Sequence, residues 1–162
     1  MESNKPLGYV LGQSLRVFKN QLLAEFKEKS IDLTFEQFAI LHLLNSDGNL
    51  IQRDLAIRLQ KDKSIIVRQF NCLLDNQYVV SLVNKDDKRK KNLILTKKGF
   101  EILNQMKELA SELSERLLSG VSENDRDTFE SVLSKIQENG GADDEIFNCG
   151  LHQLKKTEIL TK

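Results

Sequence analysis

The chain is poor in residues that interrupt helices and in residues that crosslink small domains. One proline in 162 residues leaves long stretches free to be helical. Two cysteines, Cys72 and Cys149, are too few and too far apart in sequence for a disulfide framework or a zinc-binding spacing, and they read as free thiols. No run reaches the roughly 18 apolar residues of a membrane span. The N-terminal MESNKPLGYV lacks the basic-then-apolar order of a secretion signal, so the expected location is the cytoplasm. The two histidines, His42 and His152, stand far apart, no glycine-rich phosphate loop occurs, and no acid–base pair flanks a nucleophile. An enzyme is therefore the poorest fit, and neither a cofactor nor a metal site is expected. An excess of one charge is missing too: 24 Lys/Arg balance 24 Asp/Glu, which taken alone speaks against a polyanionic partner.

That balance conceals a segregation. Residues 1–52 hold five Lys/Arg and six Asp/Glu, residues 53–98 twelve and five, and residues 99–162 seven and thirteen, for net charges of −1, +7 and −6. A polyanion is attracted to the middle section and repelled by the last. Leu, Ile, Val and Phe are plentiful and 30% of residues are charged, the composition of a globular chain with room for one domain plus an oligomerisation element.

Leu7, Val10, Leu11, Leu15, Phe18, Leu22 and Phe26 recur at spacings of three and four, predicting a helix over about 5–30. Thr34 as cap, Gln37 as its capping-box partner and Leu33 stapled on Phe38 predict the start of a second, buried helix ending near Leu44, before a turn at Ser46-Asp47-Gly48-Asn49. Residues 51–59 form a short amphipathic helix with Leu55, Ala56 and Leu59 inward. After Gln60-Lys61, Asp62 is placed to cap another helix through Ile66, Phe70 and Leu73. Two short helices so closely joined make a helix-turn-helix candidate. Tyr78–Val83 and Leu93–Thr96 are β-prone, and between them lies NKDDKRKKN, Asn84 to Asn92, with seven charges in nine residues, five of them basic. Its length suits a flexible hairpin tip better than a two-residue turn. Thr96 then caps a long helix to about Ser119, whose Leu103, Met106, Ala110, Leu113 and Leu117 form a heptad-like seam. Ser122 with Asp125 opens a last helix with Phe129, Val132, Leu133 and Ile136 on one face, ended by Asn139-Gly140-Gly141. The tail 139–162 has no decisive period.

The fold expected is mainly α with a small β-hairpin wing. In this order the elements make a winged helix, and residues 35–137 resemble the MarR family of transcription regulators, named for multiple antibiotic resistance repressors. The resemblance rests on Gln52-Arg53-Asp54-Leu55-Ala56-Ile57-Arg58-Leu59, on Asp62-Lys63-Ser64-Ile65-Ile66-Val67-Arg68, and above all on Asp87-Lys88-Arg89 followed by Leu93-Ile94-Leu95-Thr96-Lys97-Lys98-Gly99. It departs from the family at Val67, where Thr is frequent, at Gln77-Tyr78, where Gly often precedes the first wing strand, and at Ile51, where a polar cap is common.

The resemblance implies a cytoplasmic bacterial repressor acting as a homodimer on a pseudo-palindromic duplex. Residues 5–30 and 97–138 would supply the dimerisation helices and residues 33–96 the winged helix-turn-helix lobe. An intramolecular partner would explain the heptad-like seam as well. Helical geometry turns Ser64, Ile65, Arg68, Gln69 and Cys72 away from Ile66, Phe70 and Leu73. Arg68 suits a guanine edge or a phosphate, Gln69 an adenine and Ile65 a thymine methyl, with Lys63 beside them; an ordinary polar helix face is the plainer account. By resemblance Arg89 is the wing-tip arginine of the minor groove, Asp62 pairs with it, Asp87 shapes the turn, and Lys88, Lys90 and Lys91 meet phosphates. Family members are often released from DNA by small aromatic molecules or by cysteine oxidation. Phe18, Phe35, Phe38 and His42 would line such a ligand cleft, though apolar residues at helical spacing are more often core. Cys72 is either an oxidant sensor or an inert thiol. From a different functional class stands a winged helix whose basic wing docks an acidic protein.

Overall fold

The computed structural model describes residues 5–47, 50–85 and 87–141. The expected tail from residue 142 onward, with Cys149 and His152, lies outside the described residues, as do Gly48, Asn49 and Asp86. Six helices and one hairpin follow in order: α1 (Leu7–Glu28), α2 (Phe35–Ser46), α3 (Gln52–Arg58), α4 (Lys63–Asp75), β1 (Val79–Val83), β2 (Lys91–Leu95), α5 (Lys97–Leu117) and α6 (Glu123–Asn139). No described helix is long and apolar enough to cross a membrane.

Local chemistry explains most boundaries. The Thr34 hydroxyl accepts from the Gln37 N–H at 3.1 Å while the Gln37 side chain accepts from the Thr34 N–H at 2.8 Å, the reciprocal box that opens α2. At α3 the apolar Ile51 cannot cap, and the Asp54 carboxylate accepts its N–H instead at 2.9 Å. Three helices end in the same way, with a non-glycine residue in the left-handed region: Ser30 (φ 58°), Gln60 (φ 49°) and Gln77 (φ 61°). In each case the next N–H reaches back to close the last turn, Ile31 to Phe26 O, Lys61 to Ala56 O and Tyr78 to Leu73 O. Gln77 thus adopts a conformation that favours glycine.

One continuous core joins α1, α2, α3, α4, the hairpin and α5. Leu22, Phe26, Ile40, Leu41, Leu55, Ile66, Phe70, Leu73, Leu103, Met106 and Leu113 are all essentially inaccessible. Each such side chain contributes about 1.5–3 kcal/mol by leaving water. The α5 seam is therefore used inside the chain: Leu103, Met106, Ala110 and Leu113 are buried, and α5 packs on α1 and α2. Leu117, at its end, stays 40% exposed.

Two faces remain uncovered. Only Leu22 and Phe26 of the α1 stripe are buried, while Leu7, Val10 and Leu15 are exposed, with Tyr9 and Val17 beside them. In α6 no residue is buried, and Phe129 and Val132 are 54% and 52% exposed. The apolar period was legible in both helices, but its partner is not found among the described residues.

Candidate nucleic-acid interface

Helices α3 and α4 pack together and are joined by Leu59 to Asp62, a turn made possible by the left-handed Gln60. Helix α4 buries Ile66, Phe70 and Leu73. Its opposite side leaves Lys63, Ser64, Arg68, Asn71 and Cys72 exposed, with Ile65 and Gln69 half-buried on its flank. Asn71 was missed in the sequence reading, although it stands three residues beyond Arg68 and seven beyond Ser64, spacings that bring it onto the same face. Cys72 is a free thiol on that face.

The wing is an antiparallel pair in which Val79 faces Leu95 and Val83 faces Lys91. Val79 and Leu93 point into the core, while Val80, Leu82 and Ile94 face outward and are exposed. The Leu93 N–H donates to Leu50 O at 3.0 Å, so the free edge of β2 is covered by a residue that no sequence pattern marks as a strand.

The wing tip is a built turn. The Asp87 carboxylate accepts from the Arg89 N–H at 3.0 Å, and the Asp87 carbonyl accepts from the Lys90 N–H at 2.9 Å. The Asp87 N–H in turn donates to Asn84 Oδ1 at 3.0 Å, and Asn84 Nδ2 donates to Asn92 Oδ1 at 3.0 Å, tying the two strand ends together. Both the side chain and the backbone of Asp87 thus take part in this turn. Its carboxylate also lies 3.9 Å from Lys90 Nζ, an exposed pair of small energetic weight. Lys88, Arg89, Lys90 and Lys91 are all exposed around this turn.

Asp62 behaves differently from the expectation. It occupies the N-cap position of α4, yet its side chain makes no cap hydrogen bond. Nor does it form an ion pair with Arg89 among the described residues, where Asp47 pairs with Arg58 and Asp87 with Lys90. Both Asp62 and Arg89 are exposed, where water competes effectively with a single pair. Two of the basic residues are also committed elsewhere. Arg58 is held by Asp47, and Lys98 donates to Asn76 O at 2.8 Å while lying 4.7 Å from the centre of the Tyr78 ring.

The expected ligand-cleft residues sit higher, against α1. Phe38 and His42 are core residues, 6% and 4% exposed, and Phe38 meets Phe26 edge-on at 5.8 Å and Phe35 at 6.4 Å. Phe18 and Phe35 are half-buried, with the Lys19 ammonium 5.3 Å from the Phe35 ring centre. An open cavity of about 400 Å³ lies elsewhere, at the end of α1, lined by Leu23, Lys27 and residues 30–33. No group of three or more His, Cys, Asp or Glu is placed to hold a metal among the described residues.

A helix pair, a recognition-type helix with a polar outer face and a basic hairpin that leads into a long helix together define a winged-helix protein. Residues 33–91 match the MarR family. Across 129 residues the chain is 24% identical to the uncharacterized HTH-type transcriptional regulator YybA of Bacillus subtilis, covering 80% of this chain and 85% of that one. A MarR transcriptional regulator from Methanosarcina mazei superposes with a TM-score of 0.74 at 26% identity, over 83% of this chain and 95% of that chain. A MarR-family regulator from Listeria monocytogenes, solved in complex with 26mer DNA, superposes with a TM-score of 0.73 at 25% identity, over 83% and 89%.

Proposed function

We propose that the protein is a transcription regulator that binds a specific double-stranded DNA sequence as a homodimer in the cytoplasm. The observation that carries this reading is the pairing of an exposed polar face on α4 with a wing whose turn is built by Asp87 to present Arg89 among lysines. Lys63, Ser64, Ile65, Arg68 and Gln69 read base edges or neighbouring phosphates in the major groove. Arg89 enters the adjacent minor groove, and Lys88, Lys90 and Lys91 neutralise phosphates.

Homodimerisation is supported by the uncovered apolar residues of α1 and α6, which have no other partner among the described residues. Thus residues 5–30 and 97–138 serve dimerisation, residues 33–96 serve DNA, and twofold symmetry spaces the two α4 helices by about one helical turn, roughly 34 Å. The regulator acts as a repressor released by a small aromatic ligand near Phe18, Phe35, Phe38 and His42. Selection of genomic duplex fragments by the purified protein tests the central reading. Enrichment of a pseudo-palindrome, lost in Arg68→Ala plus Arg89→Ala, is expected, with affinity falling steeply as salt rises.

A second reading, a module that docks an acidic protein, draws on the exposed Val80, Leu82 and Ile94 of the outer wing face. It predicts no enriched sequence at low salt.

A further inference from the structure

His42 lies in the middle of α2 with 4% of its surface exposed, its ring centre 6.2 Å from that of Phe38. Both ring nitrogens are buried, and neither has a hydrogen-bond partner among the described residues. Buried polar atoms are nearly always satisfied, so an imidazole with two orphaned nitrogens is a point of low stability among the apolar side chains of the core.

The surroundings favour the neutral ring. From α5, the half-buried Lys107 bears on it and has no ion pair among the described residues. From α4 and β2 the residues turned inward are Ile66, Phe70, Leu73 and Leu93, while Lys63, Arg68, Asp75 and Lys91 are exposed. From α1, Glu25 is held by Arg116 and Lys19 by Glu36. Burial is the main reason that the His42 pKa lies below 6.5; its own backbone opposes the shift and Lys107 reinforces it. Burial likewise lowers the pKa of Lys107.

Position gives this residue leverage. Helix α2 contacts α4 and β2 in the winged lobe and α5 outside it, so the packing around His42 joins the lobe to the long helices. We propose that His42 is an acid-sensitive joint: proton uptake by its buried ring loosens the packing of α2 on α5 and uncouples the winged lobe from the long helices. The sign follows from linkage. A histidine whose folded pKa is depressed binds more protons when its surroundings open, so its full contribution to stability holds above about pH 6.5 and is lost as pH falls below that, through the lower folded value. The consequence for DNA rests on the proposed function; the packing change does not.

The test uses the full chain carrying His152→Gln, which leaves His42 as its single histidine. Thermal unfolding is followed from about pH 7.5 to about pH 5.5, alongside the NMR titration of the His42 ring and hydrogen exchange of α2 and α4. The midpoint is expected to drop by roughly 3 °C or more, and the ring to titrate below 6.5. At the acid end, α2 and α4 amides are expected to exchange faster than in His42→Leu at the same pH. His42→Leu should flatten the pH dependence of the midpoint, and Lys107→Glu, which offers the ring a carboxylate, should reverse it. An unchanged acid loss in His42→Leu, or a ring that titrates at or above 6.5 in the parent chain, would overturn the proposal. Binding to a labelled mixed-sequence duplex at low salt is the separate arm. Acid loosening without any duplex binding at neutral pH leaves the joint standing and sinks the DNA reading.

Discussion

Gly99 lies directly beneath the backbone carbonyl of Tyr78: a Cβ on Gly99 would meet Tyr78 O at 1.9 Å. The same corner is tied by Thr96, whose N–H donates to Tyr78 O at 3.0 Å, and whose hydroxyl donates to Gln77 O at 2.7 Å and accepts the Gly99 N–H at 2.9 Å. The start of α5 is thereby locked to the end of α4, which sets the base of the wing. Gly99→Ala is expected to destabilise the fold by about 1–3 kcal/mol through overpacking, despite alanine's better helix propensity. Denaturant unfolding measures it; a neutral or stabilised variant would show that the corner yields freely.

Gln77 and Gln60 offer the opposite test. Both hold positive φ without needing a side chain there, at 61° and 49°. Gln77→Gly relieves the Cβ clash of the left-handed region, a gain partly offset by the larger entropy of the unfolded glycine chain. A net stabilisation of about 0.5–1 kcal/mol is expected, read as a higher denaturant midpoint at unchanged slope.

Asp87 shapes the wing without being placed on DNA. Asp87→Ala removes the side-chain acceptor of the Arg89 N–H, while the backbone bonds of residue 87 to Asn84 and Lys90 can persist. Duplex affinity should fall by about 0.5–1.5 kcal/mol. Because no phosphate contact is deleted, the salt dependence should stay close to that of the parent, whereas Lys91→Ala should lower it by nearly one counterion. Equal salt slopes in the two variants would place Lys91 away from phosphate.

Lys98 separates structural from binding lysines. Its ammonium is spent on Asn76 O and the Tyr78 ring, so Lys98→Met should reduce stability by about 1 kcal/mol with the salt slope intact. A shallower slope with unchanged stability would assign it to phosphate instead.

Phe129 and Val132 test the dimer. Phe129→Asp with Val132→Asp adds charge to a face with no buried residue, so a monomeric chain should tolerate it. Sedimentation is expected to show the parent as two chains and the variant as one, with a thermal midpoint that no longer depends on concentration.

Much of this architecture was legible residue by residue. Thr34 with Gln37, Thr96 as a cap, and the β-prone runs flanking NKDDKRKKN each act within a few residues, so the caps and the hairpin could be read from neighbours in the chain. Asp62 failed that test: its type and position suit an N-cap, but its side chain makes no cap bond. Leu50 was invisible because pairing with β2 is a long-range backbone contact that leaves no periodic trace.

The heptad-like seam of α5 shows where local reading stops. Apolar spacing establishes that a helix has a face to bury, and α1, α5 and α6 all have one. It says nothing about what covers that face, since burial energy depends on area removed from water and not on the identity of the partner. Folding assigned the α5 seam to α1 and α2, and left α6 and the first half of α1 without a cover among the described residues. The same holds for His42. Its place in an apolar helix could be read along the chain, but two unpartnered nitrogens and a lysine from α5 arise only when distant segments pack. Caps, turns and helix faces followed from short-range chemistry. Partners, close approaches such as Gly99 on Tyr78, and the electrostatics of the interior required the folded chain, because they join residues that sequence holds apart.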